Sequence, residues 1–554
     1  MIKPTRHFTS VLPSFLTLVM LLAGSQLFAQ PDLPTEQVEV VKDFDARLLD
    51  TEKQPIPAEL PRLDTTTKRQ NYAVPSKSLT VEYLPPTIRP VAIKAQDYGP
   101  NYNGFAKLGA GYPNSILGQG FYNIQKEKTY DIGIGLNHHS ANNSKNLNNQ
   151  RFSRTGAKIG GNYYTEEGIA AGGYLAYDRN RADLYAYDSG IDLESVPPQD
   201  TLADRTQRFS MISAGAKVFN GERTVADFNY SAGFDLYSMN DNYAAKENGF
   251  DLKLEATKWF NDSHPLRLVL RTDFTSYNDT AKQTLHNFYL QPSFTYHGDI
   301  YRVKLGMNLV AHEDEYHFFP DVEASLNLFE GLIVAFAGAE GSLQKNTMRS
   351  LSTYNPYITS RLQLENTDYY NFFGGIKGTV QGISYSGQAG YKRVKNLALF
   401  LTDPSDITRF QVLYDTANIF YIKGSAAFNL IEDFELTGSV TQNIFDLGKG
   451  EKPWHLPSLE VNVTARYTGL ENKLRVKAEL YLENGVPVLP FTGSTAEPIN
   501  LNALFDISVG AEYFFTENIG AFIDVNNLAN NKRQRWYRYP TFGLNALVGV
   551  MARF

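Results

Sequence analysis

The last residues of the chain alternate between apolar residues and small or polar ones. The apolar series is Phe542, Leu544, Ala546, Val548, Val550, Ala552 and Phe554, which is the last residue. A strand with one wholly apolar face suits a wall that separates lipid from water. The pattern therefore predicts an all-β protein, a transmembrane antiparallel β-barrel. We expect its assembly signal to comprise Phe542, Leu544, Val548, Val550 and Phe554.

The amino-terminal end supports an exported protein. Lys3, Arg6 and His7 precede an apolar stretch from Val11 to about Gly24, followed by Leu27-Phe28-Ala29. This arrangement predicts a signal peptide over 1–29. The chain contains no cysteine, which excludes lipoprotein acylation, disulfides and thiolate metal sites.

Residues 30–100 have a composition of their own, with prolines scattered among charged residues. Nothing in this range can bury a core, so we expect a periplasmic Pro-rich segment, in the simplest case an extended tether. Val38-Glu39-Val40-Val41 and Leu79–Tyr83 are each long enough to add to the edge of a sheet. Val38, Val40 and Val41 are therefore candidate contacts for a periplasmic partner.

From residue 101 onward, apolar alternation interrupted by turn residues divides the chain into about 22 strands. Short links follow the even-numbered strands, and longer connections, such as 180–204, 344–368, 396–415 and 529–540, follow the odd-numbered ones. Barrels of the outer membrane of Gram-negative bacteria have tight periplasmic turns and longer extracellular loops. The alternation predicts an even strand number, a barrel over 101–554 and both termini in the periplasm.

The two faces of a strand can be assigned where the pattern is regular. On 471–484, the residues predicted to face lipid are Leu474, Val476, Ala478, Leu480 and Leu482, and those predicted to face inward are Lys473, Arg475, Lys477, Glu479 and Glu483. A charge on the lipid side costs about 2 to 4 kcal/mol near the midplane, so the register is strongly specified. The lumen is predicted to be polar.

The strand number and the closing segment, Asn526–Lys532 with Trp536–Pro540, resemble the carboxyl end of TonB-dependent receptors. The resemblance implies a 22-stranded barrel and transport or passage of a solute or polypeptide across the outer membrane. Such receptors carry an amino-terminal plug of well over a hundred residues, and residues 30–100 are too short to form one. The alternative function is a plugless barrel that serves as a structural subunit of an outer-membrane assembly or secretion complex.

A barrel of this size encloses a lumen that transporters keep plugged. Three candidates could close it: the segment 31–99, long loops such as 180–204 and 344–368 folded inward, or a partner protein. The expected partners are outer-membrane lipid, the barrel-assembly machinery during insertion, and a periplasmic or outer-membrane protein.

Enzymatic, metal and cofactor sites find little support in the sequence. His312 and His317 are five residues apart, whereas the two-histidine zinc motif needs a spacing of four on a helix; calcium in this acidic loop is the alternative to a solvated turn. His138 and His139 precede Ser140, but neighbouring strand residues point to opposite faces and cannot both serve one serine. Trp536, Tyr537 and Tyr539 fit a membrane-interface girdle or a stacking platform. We expect no enzyme, no cofactor and no metal, and the net charge of −7 argues against a nucleic-acid partner.

Overall fold

The protein forms a closed barrel of 22 antiparallel strands. The computed structural model describes residues 102–186, 205–431, 433–449, 451–490 and 497–554. The strands and the helix are β1 (Gly104–Tyr112), β2 (Ser115–Lys126), β3 (Tyr130–Asn142), β4 (Arg151–Tyr164), β5 (Ile169–Asp183), β6 (Thr206–Asn220), β7 (Phe228–Asp241), β8 (Lys246–Phe260), β9 (His264–Asn278), β10 (Lys282–His297), β11 (Tyr301–His312), β12 (Glu315–Asn327), β13 (Val334–Asn346), α1 (Met348–Tyr354), β14 (Glu365–Val380), β15 (Ile383–Asp403), β16 (Asp406–Ile431), β17 (Phe434–Leu447), β18 (Leu459–Gly469), β19 (Leu474–Glu483), β20 (Pro487–Val488), β21 (Ile499–Asn500), β22 (Leu504–Phe514), β23 (Ile519–Asn526), β24 (Gln534–Trp536), β25 (Tyr539–Pro540) and β26 (Asn545–Arg553).

The barrel is closed by its first and last strands. β1 pairs antiparallel with β26, with Ala106 opposite Ala552 and Ala110 opposite Val548. Two small two-stranded sheets, β20 with β21 and β24 with β25, are not part of the barrel wall. The predicted strand number is therefore confirmed. The segments 1–29 and 30–100, and with them Val38, Val40 and Val41, lie outside the described residues, and their assignments stay predictions.

The outer face of the wall is apolar and its inner face carries charges. Outward residues such as Leu108, Leu305 and Val550 are about 60 % exposed to the surroundings of the barrel. Ion pairs line the inside, for example Lys304 with Asp321 at 2.6 Å and Lys107 with Glu512 at 3.1 Å. The predicted polar lumen is therefore present.

The last strand is shorter than predicted. It begins at Asn545, so Phe542 and Leu544 precede it, although their positions fit the alternation. Phe542 instead packs edge-on against Phe152 of β4, with ring centroids 5.4 Å apart. Alternation alone could not locate this strand end because the pattern continues into the loop.

The predicted loop at 396–415 is wrong. β15 and β16 continue past the other strands and meet in a tight turn at Pro404-Ser405. Asp403 accepts hydrogen bonds from the Ser405 backbone N–H (2.9 Å) and hydroxyl (2.6 Å), which is the Asx geometry expected of a turn. A β-bulge between Val394 and Leu397 interrupts the alternation of β15, so the sequence pattern does not show that the strand continues.

The connection 347–364 contains the helix α1, which the sequence pattern did not predict. Among the described residues, no helix is both long enough and apolar enough to span a membrane. The long connections follow β3, β5, β13, β17, β19 and β23 and therefore lie at one end of the barrel, and short turns lie at the other. This confirms the predicted alternation of connections.

Candidate functional site

The described parts of the long connections fold over the lumen and pack together. We call this assembly the lid; it comprises 184–186, 347–364, 398–412, 451–458 and 527–544. Its buried apolar residues, together with residues of the inner wall, form one cluster: Leu184, Tyr185, Ala186, Phe209, Met239, Ala245, Tyr277, Leu285, Met348, Leu351, Ile358, Leu362, Leu364, Phe400, Phe410, Trp536 and Tyr539. The cluster gives the lid a hydrophobic core of its own.

Helix α1 is fixed to the barrel wall by a buried carboxylate. Thr347 caps the helix and forms a capping box with Ser350. Glu247 of β8, which is fully buried, accepts hydrogen bonds from the backbone N–H groups of Met348 (2.6 Å) and Arg349 (3.3 Å). A carboxylate at a helix amino terminus satisfies free N–H groups and interacts favourably with the helix dipole. Glu247 therefore docks the helix on β8.

Further polar contacts join the connection 347–364 and the adjoining ends of β13 and β14 to the wall. Lys345 donates to the Asp273 carboxylate at 2.6 Å, and the amides of Asn366 and Asn287 bond to each other at 2.9 and 3.0 Å. Gln283 donates to the Leu362 carbonyl at 2.7 Å. The segment thus runs from β13 and β14 across the lumen to β8, β9 and β10.

The lid segments are held to one another by stacked rings. The rings of Tyr357 and Tyr539 are stacked with centroids 3.7 Å apart, and Trp536 lies 5.4 Å from Phe410. The Tyr539 hydroxyl donates to the Thr408 carbonyl at 2.5 Å. Trp536 and Tyr539 are thus core residues of the lid, and neither predicted role, girdle or exposed stacking platform, applies to these two rings.

His455 occupies the centre of this aromatic group. It is 1 % exposed, with Nδ1 at 2.7 Å from the Phe400 carbonyl and Nε2 at 3.2 Å from the Tyr537 backbone N–H. Because a carbonyl can only accept and an amide N–H can only donate, the ring must be neutral with its proton on Nδ1. Burial lowers the pKa of His455 to about 3. The Phe400 carbonyl opposes this shift, and the nearby Arg535 adds to it.

Arg535 connects three parts of the loop region. Its guanidinium donates to the His455 carbonyl at 2.9 Å and to the Tyr354 hydroxyl at 2.8 Å, and it pairs with the buried carboxylate of Glu483 at 3.3 Å. Sequence reasoning missed Arg535, His455 and Glu247, and it predicted Glu483 only as an inward-facing residue. Glu247 and Glu483 lie at the long-loop ends of β8 and β19, but no periodic pattern marks them or the two loop residues.

A cavity of about 540 Å³ lies between the lid and β4–β5. Phe152, Arg154 and Asn180 belong to the wall side, and the lid contributes aromatic residues, namely Tyr185, Tyr354, Tyr357, Trp536 and Tyr539. Arg154 is exposed and has no hydrogen-bond or ion-pair partner among the described residues. This arrangement can receive an anionic group beside flat apolar surfaces.

The remaining predicted residues fall in ordinary structural settings. His312 ends β11, and His317 lies within β12, beyond the turn at 313–314; the described residues contain no group of three or more ligands that could hold a metal ion. His138 bonds to Thr155 (2.8 Å) and Ser140 (3.1 Å). His139 contacts the ring of Phe152 on the other face, so the two histidines are separated as expected.

The closing segment that carries the family resemblance has a structural role. Asn527 has a positive φ of 53°. Its side chain donates to the carbonyls of Asn531 (2.9 Å) and Phe542 (2.8 Å) and accepts from the Asn531 backbone N–H (2.9 Å). Asparagine tolerates this left-handed conformation better than most residues. Asn527 thus organises the loop that carries Trp536 and Tyr539 into the lid.

No protein-family profile matches the sequence, and no curated protein matches it. Several solved structures have a similar fold. The pyoverdine outer membrane receptor FpvA of Pseudomonas aeruginosa has a TM-score of 0.60 at 13 % identity, covering 82 % of this chain and 79 % of that one. The siderophore receptor PirA of Acinetobacter baumannii gives 0.62 at 11 %, covering 81 % and 80 %. The FrpB iron transporter of Neisseria meningitidis gives 0.64 at 9 %, covering 82 % of each chain. The described part of the chain thus has the 22-stranded barrel fold of TonB-dependent outer-membrane receptors.

Proposed function

We propose that this protein is an integral outer-membrane barrel that passes a solute or polypeptide across the membrane, and that the lid is its outer gate. The observation that carries the proposal is the buried core of the lid, which is built from loops of distant strands and spans the long-loop end of the lumen. The apolar outer face of the barrel supports the location. The structural neighbours, described as outer-membrane receptors and an iron transporter, support transport.

The orientation follows from the connections. Tight turns belong on the periplasmic side of an outer-membrane barrel and long loops on the outside. The lid therefore faces the exterior and separates the lumen from it. A passenger can cross only after the contacts between lid segments, such as the Tyr357–Tyr539 stack, have separated.

The cavity beside Arg154 is the proposed contact for the passenger. A guanidinium that has no partner among the described residues, beside the rings of Tyr354 and Tyr357, favours an anionic solute that also carries a flat or apolar portion. Arg535 borders the same cavity but is already engaged by Glu483 and Tyr354. Arg154 is therefore the charge that is free to bind.

Planar-bilayer conductance tests the gate. In the test variant, a short Gly-Ser linker replaces 348–362, which removes α1 and the segment that crosses the lumen. In the matched control, the same linker replaces 222–226 at the opposite end of the barrel, where Val225 is fully exposed. We expect low conductance for the native protein and the control, and a large increase for the test variant. High conductance of the native protein, or no increase on removing the helix, would contradict the gate.

A further inference from the structure

The outer surface of the barrel carries a group of cations at the long-loop end of strands β5–β10. We call Arg179 (β5), Arg208 (β6), Lys246 (β8) and Lys282 (β10) the basic sector. Each lies an even number of residues from an outward apolar residue on its own strand, namely Tyr177, Ile212, Phe250 and Phe288, which are 38 to 55 % exposed. Because side chains alternate along a strand, the four cations point outward as well.

Strand register shows that one row of outward residues through the basic sector contains no acid. One continuous row of paired outward residues runs across eight strands: His138, Thr155, Arg179, Ser210, Asn240, Lys246, Asn278 and Lys282. In the next row toward the lid, Arg181 pairs with Arg208. The members of the long row are cations, hydroxyls, amides and one histidine, which are all able to donate hydrogen bonds.

Two carboxylates beside the basic sector are already engaged, whereas Asp279, in the turn before Lys282, forms no ion pair with any of the four cations. Asp183, at an outward position of β5, is fully buried and bonded by Arg151 (2.6 Å) and Arg181 (2.7 Å). Glu247, which follows Lys246, points inward and holds α1. Within the described ranges, no carboxylate forms an ion pair with Arg179, Arg208, Lys246 or Lys282. The sector thus presents uncompensated positive charge at the edge of the apolar band.

The position and width of the sector indicate what it binds. Strands lie about 4.8 Å apart, so β5 to β10 span about 24 Å, which is wider than a single small anion. Directly beneath lies the apolar surface that faces acyl chains, with Tyr177 and Phe250 at its upper edge. A ligand that fits both parts has phosphate groups at the water interface and hydrocarbon chains below them.

We propose that the basic sector is a binding site for phosphorylated lipid of the outer leaflet, whose phosphate groups contact Arg179, Arg208, Lys246 and Lys282. Arg179, nearest to the apolar band, contacts the phosphate closest to the acyl chains. Lys282 lies farther from the apolar band than Arg179 does, and its flexible side chain extends toward the phosphate groups. The inference depends on the orientation of the barrel and not on the lid acting as a gate.

Native mass spectrometry of the full chain in neutral detergent tests the site. The probes are bisphosphorylated lipid A, its dephosphorylated form and inorganic pyrophosphate. Each cation near an anionic headgroup layer contributes about fivefold in affinity, so the fourfold variant R179Q/R208Q/K246Q/K282Q should bind lipid A about 600-fold more weakly. Heat-modifiable migration on gels verifies that each variant is still a folded barrel.

A matched pair of double variants distinguishes loss of the proposed site from a general effect of removing positive charge. Arg393 lies directly above Tyr391 on β15, as Arg179 lies above Tyr177, but the next outward residue, Lys395, is the register partner of Asp368. R179Q/R208Q should lower lipid A binding about 25-fold by the same fivefold rule, and R393Q/K395Q should change it less than twofold. Equal losses in the two doubles, equal binding of dephosphorylated lipid, or pyrophosphate binding as tight as that of lipid A would each overturn the proposal.

Discussion

Acidification should open the lid through His455. In the closed lid, Nε2 of this residue accepts a hydrogen bond from the Tyr537 N–H, so protonation at Nε2 breaks that contact and places a charge in a buried aromatic environment. The pKa is about 3 when the lid is closed, against an ordinary value of about 6.5 once the loop is exposed to water. The open form therefore binds more protons between these two values.

The sign and size of the effect follow from proton linkage. The closed lid keeps its full stability above about pH 6.5 and loses it as the pH falls toward 3. At pH 5, the difference in free energy between closed and open lid should shrink by about 2 kcal/mol, a factor of about 30 in the open population. Solvent screens the charge of protonated His455 very little, because the side chain is almost completely buried in the closed lid. The charged side chain next to it is Arg535.

Hydrogen exchange of peptides from 527–540 measures this opening, after correction for the intrinsic pH dependence of amide exchange. We expect faster exchange at pH 5 than at pH 7.5 in the native protein and nearly equal corrected rates in a His455→Gln variant. Peptides of the barrel wall, such as 266–276, provide the internal control. A native lid whose corrected exchange is the same at both pH values would refute the reasoning.

Four further outcomes are expected. Glu247→Gln weakens the attachment of α1 by about 1 to 2 kcal/mol, since one carboxylate oxygen acceptor becomes an amide donor, and this appears as faster exchange of 348–354 with unchanged barrel peptides. Trp536→Ala removes the largest ring of the lid and costs about 3 to 5 kcal/mol of lid stability, which raises single-channel opening frequency; an unchanged frequency would show that this ring is dispensable. Deleting Phe554 impairs insertion, measured as the fraction of chain recovered in heat-modifiable form. Normal recovery would show that Phe554 is not needed as an assembly signal. Removing 31–99 leaves conductance low while the lid is intact and raises it further when 348–362 is also replaced; no additional rise would assign closure to the lid alone.

The barrel wall could be predicted from the sequence, whereas the lid could not. On strands such as 471–484, lipid and water impose opposite demands on successive residues, so the period of two is visible in the sequence. Loop residues such as His455 and Arg535 obey no period, because their neighbours come from other loops tens or hundreds of residues away. The 396–415 hairpin shows the intermediate case: its residues favour a strand, but the β-bulge between Val394 and Leu397 interrupts the alternation.

The position of Trp536 and Tyr539 along the chain has a consequence for the order of barrel assembly. Both rings belong to the connection between β23 and β26, and β26 is the strand that pairs with β1. The central rings of the lid are therefore inserted together with β26, the strand that closes the barrel. A partly inserted chain, however many strands it has already paired, lacks the central rings of the lid, so the lid is complete only at the last step of assembly.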